Sequence, residues 1–592
     1  MESEVEVAGA AVAVDVRLGE SLEGVVLSCP DSPGLAVAAR HLPSGTWRRA
    51  AGGIGVAPRG IPRLLDGLPG VDLHWSPEAL RFAENRRRVG GWGDQWRAEF
   101  RRLAGGGTAA AHAALADAPD LGVLDDHQWV NVAAMTLPDN PGLCVFDEQG
   151  AGKTVTAIYA FDVLVHRDQA DFLLIVAPKS MVAEWPNDFA RFRGDLYRVE
   201  TLTGSRRDRR RLLASEPDVL VANFEAAVAM EPELRALLRR HGDRGILVVD
   251  ESYHIKNRDA RRTQALRRLR EWCGRAYVLC GTPAPNSAHD LVEQFNLVDF
   301  GLTFGGAAIP RDRDEARPVV QQILRDRGVF TRHLKADVLP GLPSKEFHRI
   351  LVPLGPQQKR LYDAAQRDLI LDLREADDAR FRREITSFLA RRSALLQICS
   401  NPVEVAPGFT DTPAKLLALD RLLHEAVDLR REKVVIWSFY TASLSAIVDR
   451  YQRMRPVRYD GSVTDIADRR EAVRRFQSDD ETMLFVGNPA AAGAGLTLHR
   501  ARYAVYESLS NQAAHYLQSL DRIHRRGQTR PVQYTVLLGD ATVELAEFDR
   551  LTQKERSAQL LLGDTVDPPP TRESMLAELE NAAQLAGEET LG

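Results

Sequence analysis

The sequence predicts an α/β protein with two parallel-sheet lobes, a helical connector between them and a small α+β domain in front. Three observations carry this expectation. Short apolar runs alternate with amphipathic stretches from about residue 120 to 560, the pattern of buried parallel strands covered by helices. The middle, about 306 to 412, loses that alternation and becomes rich in Arg, Glu, Leu and Gln at helical spacing. The first 115 residues are punctuated by Gly and Pro around short β-like runs such as EGVVLSC.

In chain order, residues 1–115 are expected to form an accessory domain and 116–305 the first lobe, with strands LCVF, LLIVA, ILVVD and AYVLC. The connector covers 306–412, and the second lobe covers 413–560 with strands KVVIWS and TMLFVG. Residues 561–592 open on the break VDPPP and end acidic, which predicts a terminal helix and a frayed tail.

Composition narrows the class. With 44% hydrophobic and 27% charged residues, 592 residues make a globular chain long enough for three or four domains. A net charge of -5 excludes a protein that is basic all over, so contacts with nucleic acid must come from local patches. The five cysteines form no CxxC pair, which points away from zinc and from a disulfide framework. The first residues, MESEVEVAGA, are acidic where a signal peptide is basic, and no run approaches the roughly 18 apolar residues of a membrane span. A cytoplasmic, nucleoid-associated protein is expected.

Chemistry enters with LCVFDEQGAGKTVTAIYAF. A phosphate needs backbone N–H groups aimed at it, the close approach that Gly permits, and a cation. Gly150, Gly152 and Lys153 supply these at a helix N-terminus, with Thr154 placed to hold Mg2+. The strict phosphate-loop pattern wants Gly where Asp147 stands. The strand ILVVD then ends in Asp250 and Glu251, which suit a metal-holding and a water-polarising carboxylate. An ordinary acidic strand end is the competing reading, and what decides between them is the series of further motifs in fixed order.

That series resembles the Swi/Snf family of superfamily 2 helicase-like ATPases, over about residues 120 to 545. LDDHQWVNV looks like the adenine-reading segment, with Gln128 in that role; VAPKSMVAEWPNDFARF resembles motif Ia, VANFEA the following DNA-contact motif and LCGTPAPNS motif III. FTRHLKADVLPGLPSKEFHRILVPLGPQQKRLY and LLQICSNP are similar to the family's own connector segments. NPAAAGAGLTL resembles motif V, and QSLDRIHRRGQ is close to motif VI, the most specific signal in the chain.

The resemblance implies two RecA-like lobes with ATP and Mg2+ between them. It places Gln128, Gly495 and Gln518 at the nucleotide, beside Asp147, Gly150, Gly152, Lys153 and Thr154. It places Lys179, Ser180, Asn223, Thr497 and Asn511 at double-stranded DNA. Arg522 and Arg525, three apart on one helical face, are always charged and fork onto phosphate oxygens, so they can reach a γ-phosphate bound on the other lobe. The expected catalytic set is therefore Lys153, Asp250, Glu251, Arg522 and Arg525, with Thr154 and Asp250 at the metal.

Some residues depart from the family pattern. Tyr253 stands where motif II has the His that couples it to motif III, and Ser510-Asn511-Gln512 replaces the usual Trp-Asn-Pro. Trp92 and Trp96 read first as core-packing residues, with stacking on nucleic acid as the alternative. The runs SRRDRRR, RRTQALRRLR and FRREITSFLARRS read first as solvated faces. Residues 39–58 resemble the Pro-Gly-x-x-Trp domain that precedes the motor in annealing-type members, and a specificity or partner-docking module fits as well. The leading expectation is an ATP-dependent translocase on double-stranded DNA, of bacterial type, serving repair, recombination, transcription or phage defence. A strand-separating helicase and a non-hydrolysing scaffold are the alternatives.

Overall fold

The computed structural model describes residues 12–20, 24–29, 32–50, 53–284, 287–339, 341–463, 465–491, 496–509, 513–560 and 579. Two all-parallel sheets form the body. The first has seven strands in the order Phe330–Thr331, Gly142–Val145, Arg275–Leu279, Gly245–Asp250, Phe172–Ala177, Val219–Asn223 and Val199–Thr201. The second has six, in the order Lys345–Val352, Val532–Gly539, Tyr503–Tyr506, Val434–Trp437, Leu484–Gly487 and Val457–Tyr459.

The central strands are apolar at nearly every position because helices cover both faces of each sheet. In the first lobe Ile158, Trp185 and Tyr277 pack one face, while Phe146, Leu247 and Phe295 pack the other. In the second, Trp437, Tyr506 and Tyr534 oppose Leu419, Ile436 and Leu484. A parallel sheet carries its loops for ligands beyond the C-terminal strand ends. The turns after Val145, Asp250 and Leu279 are therefore brought together.

The connector is part sheet and part helix. Its strand Phe330–Thr331 extends the first sheet, and Lys345–Val352 forms an edge of the second. A helix, Arg313–Arg327, precedes these strands, and beyond them come the longer helices Pro356–Glu375 and Asp378–Ser400, which share a core of Tyr362, Leu369 and Phe388 with Leu579.

The first residues form a mixed sheet ordered Trp47–Ala50, Gly53–Val56, Val25–Ser28, Val12–Leu18 and Val71–Trp75. A helical segment, Pro77–Ala114, leads from it to the first lobe and is broken at Gly107, where φ is 58°. Arg88 pairs with Asp243 at 2.9 Å, and Arg86 with Glu271 at 2.9 Å, which lie at the N-terminal strand ends of the first lobe, away from the interlobe cleft. Trp96 is buried in the first-lobe core and Trp92 packs against it, so both are packing residues.

Much of the arginine excess is structural. Arg270 is 1% exposed and donates to the carbonyls of Pro141, Cys273, Leu297 and Val298. Arg268 holds Glu231, Arg210 holds Glu233, Arg380 and Arg391 hold Asp372, and Arg392 holds Glu547. Among the described residues no helix is long and apolar enough to cross a membrane.

Candidate nucleotide site between the lobes

The strand Gly142–Val145 runs into a tight loop that delivers the helix Lys153–His166. Gly150 and Gly152 have φ of 85° and 87°, a left-handed backbone that only glycine adopts without strain. A Cβ on Gly152 would lie 2.2 Å from Nε2 of Gln128, so this turn also needs glycine for space. Lys153 Nζ donates to the carbonyls of Asp147 at 2.8 Å and Glu148 at 3.3 Å, which keeps the ammonium inside the loop. A cleft of about 540 Å³ opens here, bounded by Gly150, Lys153, Thr154, Asp250 and Glu251 on one side and by Thr497 and Arg525 on the other.

Asp250 and Glu251 end the neighbouring strand. Trp185 Nε1 donates to Asp250 Oδ2 at 3.2 Å, and Gln149 Nε2 to Glu251 Oε1 at 2.7 Å. Glu251 Oε2 is buried with no hydrogen-bond partner among the described residues, and Glu251 itself sits at φ 49°. A non-glycine residue in that region costs on the order of 1–3 kcal/mol and is kept where geometry matters more than stability. Burial, and then the charge of Glu251, push the Asp250 carboxyl well above its usual range; burial pushes Glu251 up as well.

Two buried carboxylates and the Thr154 hydroxyl form a hard-oxygen set that fits Mg2+, an ion held by one or two carboxylates with phosphate and water completing its shell. Among the described residues there is no group of three or more His, Cys, Asp or Glu that could hold a metal unaided.

Motif VI supplies the opposite wall. Arg522 is 0% exposed; its Nε and Nη2 have no partner among the described residues, and burial followed by the charge of Arg525 pushes its pKa down to about 9. Arg525 donates from Nη1 to Thr497 Oγ1 at 3.0 Å and lines the cleft. Arg522 Nη1 reaches only the Leu496 carbonyl, at 3.5 Å, and so incompletely paired a buried guanidinium is costly; a polyanion between it and Lys153 would offset that cost.

Several sequence expectations need correction. Asp147 does not line the cleft. Its buried carboxylate accepts from Asn131 Nδ2 at 2.5 Å and the His333 backbone N–H at 3.0 Å, so it fastens the connector to the loop instead of touching nucleotide. Burial opposes its charge, but His333 and Lys153 outweigh burial and hold its pKa below the usual range. Asn223 spends its side-chain oxygen on the Ala226 N–H at 2.7 Å, capping a helix. Gln128 faces the cleft while its amide bridges Asp125 N at 2.9 Å and the Ala151 carbonyl at 3.1 Å. Gly495 and Asn511 lie outside the described residues.

Tyr253 occupies the departure in motif II. Burial and then the charge of Glu251 push its hydroxyl up, and the Gln518 side chain of motif VI, close enough to be felt, pulls it back. Its ring stacks on His254 with centroids 4.4 Å apart. The pairing was not legible in the sequence, since 265 residues separate the partners. Lys335 was missed for the same reason: it is 3% exposed and joins the two walls.

A second hollow of about 830 Å³ adjoins the cleft and shares Glu184, Arg191, Thr497 and His499 with it. Lys179 and Ser180 line it from the first lobe, and Arg469, Arg470 and Arg474 from the second. Arg470 crosses between the lobes to the Ala183 carbonyl at 3.1 Å.

The model of the SNF2-related domain matches residues 126–404, and that of the helicase conserved C-terminal domain matches 414–527. The chain is 28% identical over 448 residues to the ISWI chromatin-remodeling complex ATPase ISW1 of Saccharomyces cerevisiae, covering 70% of this chain and 38% of that one. It is 25% identical over 452 residues to the uncharacterized ATP-dependent helicase MG018 of Mycoplasma genitalium, covering 74% and 41%. With the DNA repair and recombination protein RAD54-like of Gallus gallus it shares 24% identity over 504 residues, covering 74% and 66%. The chain thus spans about two fifths of the length of the first two. The solved Sulfolobus solfataricus SWI2/SNF2 ATPase core in complex with dsDNA aligns with a TM-score of 0.35 at 19% identity, covering 75% of this chain and 97% of that one.

Proposed function

We propose that this chain, which belongs to the SNF2 family of helicase-like ATPases, is a DNA-dependent ATP hydrolase that translocates on double-stranded DNA. The observation that carries the reading is the one cleft in which the Lys153 loop and the Asp250–Glu251 pair face Arg525 across the lobes. Lys153 and the loop N–H groups hold the phosphates, Glu251 accepts a proton from the attacking water, and Arg522 and Arg525 neutralise the charge that develops on the transferred phosphoryl group. Thr154 and Asp250 would hold Mg2+, which would supply charge neutralisation to the bound phosphates. Because the arginines stand on the other lobe, hydrolysis requires closure.

The adjoining hollow supports DNA as the track. Lys179, Arg191, Arg469, Arg470 and Arg474 outnumber Glu184 around it, and both lobes contribute. Such a lining binds the phosphate backbone and is indifferent to base sequence. Thr497 belongs to both cavities, so grip on DNA and placement of Arg525 meet in one side chain. A role alongside the chromosome follows from this reading, and the domain formed by the first 115 residues would add a partner or a specificity contact.

The test compares ATP turnover of the wild-type protein and Lys153→Ala with duplex DNA, single-stranded DNA and RNA. Duplex DNA is expected to stimulate the wild type most, and Lys153→Ala to be inert with each. Stimulation by single strands or RNA alone would replace the translocase by a strand-separating helicase, and absence of turnover would leave a scaffold. Tyr253→Phe is expected to lower DNA-stimulated turnover by about 3- to 10-fold, the worth of one polar contact with motif VI. Its KM for ATP should stay close to that of the wild type; an unchanged maximal rate would show that the Gln518 contact is only packing.

A further inference from the structure

We infer that Lys335 and Asp521 form a latch that holds the lobes closed and sets the arginines of motif VI against the phosphate loop. The inference rests on the ATP-driven closure proposed above and goes beyond it, to residues with no part in the chemistry.

The connector is zipped onto the phosphate loop before it reaches Lys335. Phe146 N–H donates to the Thr331 carbonyl at 2.9 Å, Glu148 N–H to the His333 carbonyl at 2.9 Å, and Lys335 N–H to Glu148 Oε2 at 2.8 Å. A Cβ on Gly150 would lie 3.0 Å from Lys335 Cε, so the lysine stem runs along the back of the loop. Its ammonium then crosses the seam to Asp521 Oδ1 at 2.6 Å and to the His524 carbonyl at 3.2 Å. Asp521 adjoins Arg522 in the chain, and its carbonyl accepts Arg525 Nε at 2.9 Å. One side chain is thus tied at its root to the loop that holds phosphate, and at its tip to the turn that carries both arginines.

The electrostatics favour a switch over a permanent brace. Lys335 and Asp521 are both buried, at 3% and 8% side-chain exposure, and the lysines hold the Asp521 pKa down to about 2 against its burial. A buried pair recovers little more than its desolvation cost, so each ion is nearly as well placed in water once the lobes part. Its worth lies in geometry: the pair is made in one relative position of the lobes. Lys345 stands 3.5 Å from the same carboxylate. Arg522 and Arg525 follow Asp521 in the chain, so the latch sets them on the wall opposite Lys153, where a bound triphosphate would meet cations from both walls. The latch should therefore engage when nucleotide is present.

The test uses the full chain in four forms: Lys335→Met, Asp521→Asn, the double variant, and Lys335→Arg as a charge-keeping control. ATP turnover is measured at saturating duplex DNA, and lobe closure by energy transfer between one exposed dye on each lobe, with and without a non-hydrolysable ATP analogue. Each single neutralisation is expected to lower kcat by about 10-fold or more through misplaced arginines, with KM for ATP within about 3-fold. The double variant should be no worse than the worse single, because the two act as one unit. The analogue should close the wild type and Lys335→Arg, and fail to close the neutralised forms.

Wild-type closure in the neutralised forms, or losses that multiply in the double variant, would overturn the latch. If the wild type turned over no ATP, the proposed function would fail while the energy-transfer comparison still decided the latch. If Lys335→Met failed to fold, Asp521→Asn would carry the same comparison.

Discussion

Glu251→Gln is expected to bind ATP like the wild type and to lose turnover by about 100- to 10,000-fold, the contribution of a positioned general base. Glutamine keeps the shape and can still meet Gln149, but cannot take the proton from water. Glu251 Oε2 is buried with no partner among the described residues, which leaves it to take the proton. Burial holds the carboxyl at a raised pKa, which makes it a stronger base than an exposed glutamate. Single-turnover ATP cleavage, together with the affinity of a fluorescent ATP analogue, checks both halves. A variant that lost binding in proportion to turnover would show that Glu251 shapes the pocket and does no proton chemistry.

Arg522→Gln is expected to reduce turnover on the order of 1,000-fold, as for other arginines that meet a phosphoryl transition state from a second lobe. The same change should raise Tm by about 2–4 °C, because it removes a buried charge two of whose donors, Nε and Nη2, have no partner among the described residues. The opposite signs are the diagnostic. A residue serving only the fold would lose stability with activity, whereas one kept for the reaction trades stability for it. Calorimetry without nucleotide and ATP turnover at saturating duplex DNA measure the pair. A fall in Tm with unchanged turnover would assign Arg522 to the core. Arg522→Lys should not restore the rate, since an ammonium lacks the planar fork that meets two phosphate oxygens.

How far the sequence can be read depends on how far apart the cooperating residues are. The phosphate loop is local: Gly150, Gly152, Lys153 and Thr154 are consecutive or nearly so, and their spacing states what the backbone must do. Asp250–Glu251 at a strand end and Arg522–Arg525 on one turn are local in the same way. Each surfaced as a motif, and the cleft is lined by the loop, by Asp250 and Glu251 and, from motif VI, by Arg525, with Arg522 buried behind it. Asp147 misled because the expectation followed the pattern position; the carboxylate points to Asn131 and His333 instead. Asn223 was assigned from its motif, yet a residue of its type after a strand and before a helix is also a cap. The arginine runs looked alike in the sequence, and only burial separates Arg270, which satisfies carbonyls in the core, from the exposed ones.

By itself the sequence determined the two-lobed α/β class and marked the loop at residues 150–154, while its resemblance to the Swi/Snf family singled out Asp250, Glu251 and the motif VI arginines. Each lies in a stretch of a few residues, and such short stretches adopt their conformation largely from local propensity and hydrophobic pattern. Tertiary structure alone decided the Gln518–Tyr253 contact, the Lys335–Asp521 bridge and the two strands inside the connector. These depend on which segments meet after more than a hundred residues of intervening chain have folded. That outcome belongs to packing of the lobes as wholes, where burial sets the strength of every charge and no local pattern records the partner.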